Sequence, residues 1–268
     1  MSPALLVLLA FAAAPLAIML YYSFLSDTYP AVFTLENYTG FFTKSFYLML
    51  TWRTISVSAI VTLICILIGF PMAFVITKVL DRGKNLILLL VIIPFWSSQL
   101  VRAYSWLNVL RDDGLLHNFL KLFGLYTDSG LGILFTWTAV IIGLVHIFCP
   151  YMIITTYMSL EKIRPELLEA SQNLGATPIT TFLRIILPLS KSGIITGSIL
   201  VFVPCLGSFI EPRILGGVNG SMIGTVIQDQ FFEIFGWNFG AAIAFLLLIL
   251  VLISMGVLNQ FRGGTEDG

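Results

Sequence analysis

Few residues in this chain have the type and spacing for chemistry. Its two histidines, His117 and His146, have no HExxH motif or paired carboxylates beside them, so neither builds a metal or acid–base centre. Inside an apolar stretch, His146 is either a hydrogen-bonded packing residue or a proton relay. Cys65, Cys149 and Cys205 stand far apart in apolar stretches without CxxC spacing, and read as small buried hydrophobes. No GxxxxGK[ST] phosphate loop is present, so ATP chemistry is absent from this chain. What remains is recognition of charge. Gln99 and Arg102 share one side of a helix; Arg102 lines an aqueous cavity, snorkels to an interface or pairs with an acid. Trp96, Tyr104 and Trp106 either stack on an ammonium group, a contact worth about 0.5–2 kcal/mol, or form an aromatic belt at the membrane boundary. Pro94 favours the first for Trp96, because it breaks the helix there and opens space. Glu211, ahead of Pro212 and Arg213, either attracts a cation or pairs with Arg213 or an arginine of another subunit.

The other polar concentration is the segment 159–193, which from 161 onward reads EKIRPELLEASQNLGATPITTFLRIILPLSKSG. Pro165 suits a first helical turn, where its missing N–H has no partner to lose. Glu166 and Glu169 stand near that helix's positive end. Leu167, Leu168 and Leu174 give an apolar side, and Gly175 stops the helix. Pro178 and Thr180 open a second helix, and Pro188 bends the chain back. This pattern predicts a short helix, a glycine turn and a return helix, a shape suited to docking in a groove on a soluble partner.

The elements that hold these residues follow from composition. Of 268 residues, 58% are hydrophobic and 10% charged, with a formal net charge of zero; the mean hydropathy is +0.97. Soluble domains carry roughly 25% charged residues, so this surface is too apolar for water. That excludes a cytosolic enzyme, a disordered tail and a disulfide scaffold. The neutral balance excludes a nucleic-acid partner, which needs a clustered basic field. The chain reads as an all-α integral membrane protein, one domain over 1–268, in contact with the lipid bilayer. Roughly 20 apolar residues cross a bilayer, and six stretches qualify, at about 4–25, 53–77, 86–107, 136–158, 192–214 and 237–258. The first is too long, and lacks the charged start, for a signal peptide. Lys78, Arg82, Lys84, Lys162, Arg164, Arg184, Lys191 and Arg262 fall on the side of both termini, which the positive-inside rule makes cytoplasmic. Most acids, Asp128, Asp229 and Glu233 among them, fall on the other side, the last two as a solvated face. Helical spacing over 114–124 predicts a short interfacial helix in the segment 108–135.

Glu169-Ala170-Ser171, then Gly175, then Ile185-x-Leu187-Pro188 is similar to the EAA motif, EAA-x3-G-x9-I-x-LP, of permease subunits of ABC importers. Serine replaces the last alanine, small for small. The run from Pro94 through Trp96, Arg102 and Tyr104 to Trp106, with Gly114 and Asn118, resembles the spermidine/putrescine branch; so do Pro204-x-Leu206-Gly207-x-Phe209, Leu215-Gly216-Gly217 and Met222-Ile223-Gly224. Permeases for GABA, opines and related solutes share much of this pattern. The resemblance implies the type I importer fold in a bacterial inner (cytoplasmic) membrane. It also implies a second, similar permease (a heterodimer), two ATPase subunits that bind ATP and magnesium, and an extracytoplasmic solute-binding protein. Pro165, Glu166, Glu169, Ala170, Ser171, Gly175, Ile185, Leu187 and Pro188 then form a coupling helix and its support, and Trp96, Tyr104, Trp106 and Glu211 are candidates for the solute path. No cofactor or metal is expected on this chain. The rivals are weaker: a secondary transporter shows paired repeats, and an intramembrane enzyme clusters His, Asp or Ser.

Overall fold

The computed structural model describes residues 3–28, 30–80, 82–124 and 131–263. Asp128 and the side chain of Arg262 lie outside the described residues. Thirteen helices are described: α1 (Pro3–Ser23), α2 (Glu36–Thr43), α3 (Ser45–Phe74), α4 (Lys84–Ile92), α5 (Gln99–Leu110), α6 (Leu115–Leu122), α7 (Trp137–Glu161), α8 (Pro165–Asn173), α9 (Pro178–Thr181), α10 (Leu187–Leu206), α11 (Ile210–Gly216), α12 (Ile223–Phe232) and α13 (Trp237–Gly263). Among the described residues the only extended pairing is one bridge, Leu25 with Phe33. A backbone that satisfies its own hydrogen bonds is what a bilayer interior requires.

Four described helices are long and apolar enough to cross a membrane: Ser45–Val79, Trp137–Glu161, Pro178–Leu206 and Trp237–Gln260. A fifth span follows if Lys84–Trp96 and Gln99–Leu122, bent by 98°, count together. The expected straight span at 86–107 is therefore broken. Pro94 tightens the chain into a 3-10 turn over Ile93–Trp96, and Ser97 and Ser98 are extended before α5 begins. The expected span at 192–214 also differs: its helix starts at Pro178 and ends at Leu206, and Gly207–Phe209 separates it from α11. Pro188 does not bend the chain. A π-turn over Phe182–Ile186 leads directly into α10, with Pro188 in that helix's first turn. The predicted interfacial helix is α6, with Leu115, Phe119 and Leu122 exposed.

The core is the triple contact of α3, α7 and α10. Val61, Cys65, Leu144, Met152, Val201 and Cys205 are buried there, and all three cysteines are free. Small residues allow that closeness, as in membrane helix pairs generally. A Cβ on Gly193 would meet the Thr155 carbonyl oxygen at 2.7 Å and collide with Ser159. α1 lies along α13, and α11 packs on α5 and α7.

Candidate functional site

At one end of the core, the chain between α7 and α10 forms a helical hairpin. Arg164 is the extended residue before α8, and Pro165 occupies its first turn with Glu166. The helix ends at Asn173 in a Schellman closure: Ala176 N–H donates to the Ser171 carbonyl (3.1 Å) and Gly175 N–H to that of Gln172 (2.9 Å). That geometry needs a left-handed residue, and Gly175 supplies it with φ of 77°. Thr177 caps α9, its Oγ1 accepting from Thr180 N–H at 3.2 Å. Ser171 and Thr181 join the two arms through buried hydroxyls 2.8 Å apart. The motif's serine is thus an inward-facing pin, which its description as a small residue did not reveal.

The hairpin is anchored to the core on one side. Leu168 and Phe182 pack on the core, Phe182 edge-on to Phe70 and Phe74, and Lys78 Nζ donates to the Ile163 carbonyl at 2.8 Å. Its other side is open. Glu166, Glu169 and Ala170 are exposed, Leu174 is 87% exposed and Ile179 72%. Ile185 is half-buried, while Leu187 and Pro188 are exposed. The hairpin thus presents an apolar tip, Leu174 and Ile179, on a base packed against the core.

At the opposite end, polar groups converge where α5, α7 and α11 meet. Gln99 Nε2 donates to both carboxylate oxygens of Glu211, each at 3.0 Å. Glu211 is 0% exposed. It does not pair with Arg213; that guanidinium pairs instead with Asp229 and Glu233, clamping α11 to α12. Partial burial works against the Arg213 charge, but the two carboxylates outweigh it and hold its pKa above the ordinary value. Asp229 and Glu233, expected as a solvated face, keep 31% and 55% of their side-chain surface exposed and are also both paired with Arg213. Beside Gln99 lies a cavity of about 290 Å³, lined by Phe95, Gln99, Arg102, Tyr151, Ser208 and Phe209 among others. Arg102 Nε and Nη1 are buried there without a hydrogen-bond acceptor, a costly arrangement unless something else fills the space.

The expected path residues disperse around this cavity. Trp96, next to the bend, is 82% exposed. Tyr104 is exposed on α5. Trp106 packs edge-on to His146, ring centroids 5.4 Å apart, and belongs to the apolar cluster of Leu110, Ala139 and Leu215. Glu211 sits behind Gln99 rather than in the cavity lining. The sequence reading missed Ser208, Phe209 and Tyr151 as cavity walls; Phe209 alone had drawn notice, as part of a motif.

Residues 59–262 match the model of a family described as binding-protein-dependent transport system inner membrane component. The chain is 38% identical over 250 residues to the spermidine/putrescine transport system permease protein PotB of Haemophilus influenzae, covering 92% of this chain and 87% of that protein. To the protein of the same name from Escherichia coli it is 40% identical over 220 residues, covering 82% and 79%. In structure it resembles a chain of a bacterial alginate ABC transporter in complex with an alginate pentasaccharide-bound periplasmic protein (TM-score 0.77, 21% identity, 99% of this chain and 93% of that one). A chain of the inward-facing MetNI methionine ABC transporter also matches (TM-score 0.61, 17% identity, 82% and 96%). At these identities the structural likeness is one of fold.

Proposed function

This chain belongs to the family of binding-protein-dependent transport system inner membrane components, and from that premise we propose that it is the permease subunit of an ATP-driven polyamine importer. It forms half of the translocation path for spermidine or putrescine, as a multi-pass protein of the bacterial inner membrane. The cargo assignment is supported by relatives named for spermidine/putrescine transport, at 38% and 40% identity over most of their length. The observation that carries the mechanism is the hairpin, packed against the core at its base and apolar at its exposed tip.

In this reading α8 is the coupling helix, seated in a cleft of an ATPase subunit, and Leu174 and Ile179 are its apolar contacts. ATP and magnesium bind on two ATPase subunits, and hydrolysis occurs there. A second, homologous permease completes a heterodimer, and an extracytoplasmic solute-binding protein delivers the cargo. Both termini face the cytoplasm, and six spans are reached by counting α1 and the bent α4–α5 pair. Closure of the ATPase dimer draws the hairpins together, and packed helices pivot between two arrangements, which gives alternating access. Arg102 favours one second reading, a carboxylate-bearing amine as cargo, because its unpartnered donors ask for an anionic acceptor.

Purification through a tag on this chain tests the proposal. An ATPase and a second permease should co-purify, and hydrolysis in lipid discs should rise when spermidine-loaded binding protein is added. Stimulation only by a binding protein loaded with an amino-acid-like solute would transfer the assignment to the second reading. A chain that purifies alone would overturn both.

A further inference from the structure

At the end of the bundle away from the hairpin lies a polar cavity of about 520 Å³, walled by the chain after α1, by α2 and by the turn between α12 and α13. α3 begins beside it, with Tyr47 in the wall; the far end of the same helix carries Phe70 and Phe74, which meet Phe182 of the hairpin. Two asparagines fix the walls. Asn37 Nδ2 donates to the Ser23 and Leu25 carbonyls at 3.0 and 2.9 Å, and Asn238 Nδ2 to the Ser26 carbonyl at 3.0 Å and to Asp27 Oδ1 at 2.9 Å. Asp27 and Glu36 both line the cavity, and among the described residues neither carboxylate forms an ion pair. Lys44, the one cation of the lining, instead sets its Nζ 6.0 Å from the centroid of the Tyr47 ring. Phe239 meets that ring edge-on, centroids 5.2 Å apart. Gln230 completes the wall. It is 8% exposed and its amide has no hydrogen-bond partner among the described residues, yet the amide is not sealed off and keeps surface toward the cavity. Gly236 makes room for it, since a Cβ there would stand 2.5 Å from Gln230 Oε1. A nearly buried amide without a protein partner favours an occupant that brings an N–H.

We propose that this cavity binds an alkylammonium ion bearing two or more amines, with one ammonium at the Asp27 and Glu36 carboxylates, the carbon chain along the Tyr47 and Phe239 rings, and an N–H donated to Gln230 Oε1. Two carboxylates against one ammonium leave the lining net negative, which draws a cation. Lys44 displays the chemistry the ring accepts, an alkylammonium beside an aromatic face, and a polymethylene chain leaves water for such walls favourably. A metal ion suits the lining less, because hard cations ask for further oxygen ligands where the rings stand; no group of three His, Cys, Asp or Glu among the described residues could hold one. The site stands on its own lining, and only the identification of its ligand with the cargo rests on the polyamine reading above. In the orientation proposed there it opens on the extracytoplasmic face, apart from the Arg102 cavity, and holds cargo at the membrane surface.

The test uses the assembled complex in discs of zwitterionic lipid, without binding protein or ATP, and a neutral maleimide. The three native cysteines are buried, so Ile234→Cys in the lining and Val218→Cys, exposed and outside it, each place one accessible thiol on this chain. Spermidine should slow labelling of this chain at Ile234→Cys and leave Val218→Cys unchanged. In the Ile234→Cys background, Asp27→Asn with Glu36→Gln should raise the half-protecting concentration about four- to twenty-fivefold, a factor of about two to five for each exposed ion pair. Lys44→Met should lower it about two- to fivefold by removing the resident ammonium, whereas Arg111→Met, the same charge change outside the lining, should not move it. No protection at Ile234→Cys, equal protection at both thiols, or a half-protecting concentration unmoved by the acidic pair would overturn the proposal. Protection in a complex that shows no ATP-driven spermidine uptake in proteoliposomes would refute the polyamine reading instead, so the two failures are distinguishable.

Discussion

Gly175 offers a graded perturbation of the proposed coupling hairpin. Its φ of 77° is the left-handed region, and a Cβ built there would meet nothing within 4 Å. Substitution therefore strains the backbone without creating a clash. Alanine at such a position costs about 1–2 kcal/mol; asparagine, which tolerates this conformation, costs less, and a β-branched valine more. Gly175→Ala should shift the turn about five- to thirtyfold away from the Schellman geometry, with Gly175→Asn milder and Gly175→Val most severe. Hydrolysis stimulated by loaded binding protein, read in lipid discs, should fall in the order Gly, Asn, Ala, Val. Yield and insertion should hold, because the hairpin tip lies outside the α3–α7–α10 core. Valine behaving like glycine, or asparagine as badly as valine, would refute the argument from backbone strain. Gly175→Asp keeps a tolerant backbone but adds a negative charge at the proposed docking tip, so abolished uptake in that variant would trace to the contact rather than the turn.

Three further outcomes are expected. Ser171→Ala should lower apparent Tm by leaving the buried Thr181 hydroxyl unpartnered, at a cost of about 1–3 kcal/mol; the double change with Thr181→Val should recover most of it, and simple additivity would show that no bond joins them. Gln99→Leu strips Glu211 of its donor in a fully buried setting, and should cost about 3 kcal/mol or more; pairing it with Glu211→Leu should restore yield, whereas a doubly damaged protein would assign Glu211 another essential role. Trp96→Ala should lower uptake while assembly persists, measured as uptake per purified complex; loss of assembly would make Trp96 structural.

Local signals were the legible ones. Pro165 at the start of α8, Gly175 past its end and Pro178 at the start of α9 each act within a turn, and the hairpin follows them closely. Pro94 marked the break before α5, but the 98° bend depends on how α5 packs against α11, which no local pattern contains. Pro188 misled, because a π-turn just ahead of it lets the helix continue. Pairings across long separations were invisible: Gln99 meets Glu211 across 112 residues, and Arg213 reaches Asp229 and Glu233 on the next helix rather than its neighbour Glu211. Trp106 was legible as an aromatic near a boundary, yet its position against His146 comes from the meeting of α5 and α7.

The proposed role of this chain is to carry polyamine across a bilayer under the drive of a partner's ATP hydrolysis. The most direct measurement is uptake of radiolabelled spermidine by proteoliposomes holding the purified complex, with ATP inside and binding protein outside. Accumulation that requires ATP, the binding protein and this chain together is the predicted result. Accumulation that proceeds without ATP, or without this chain, would refute that role.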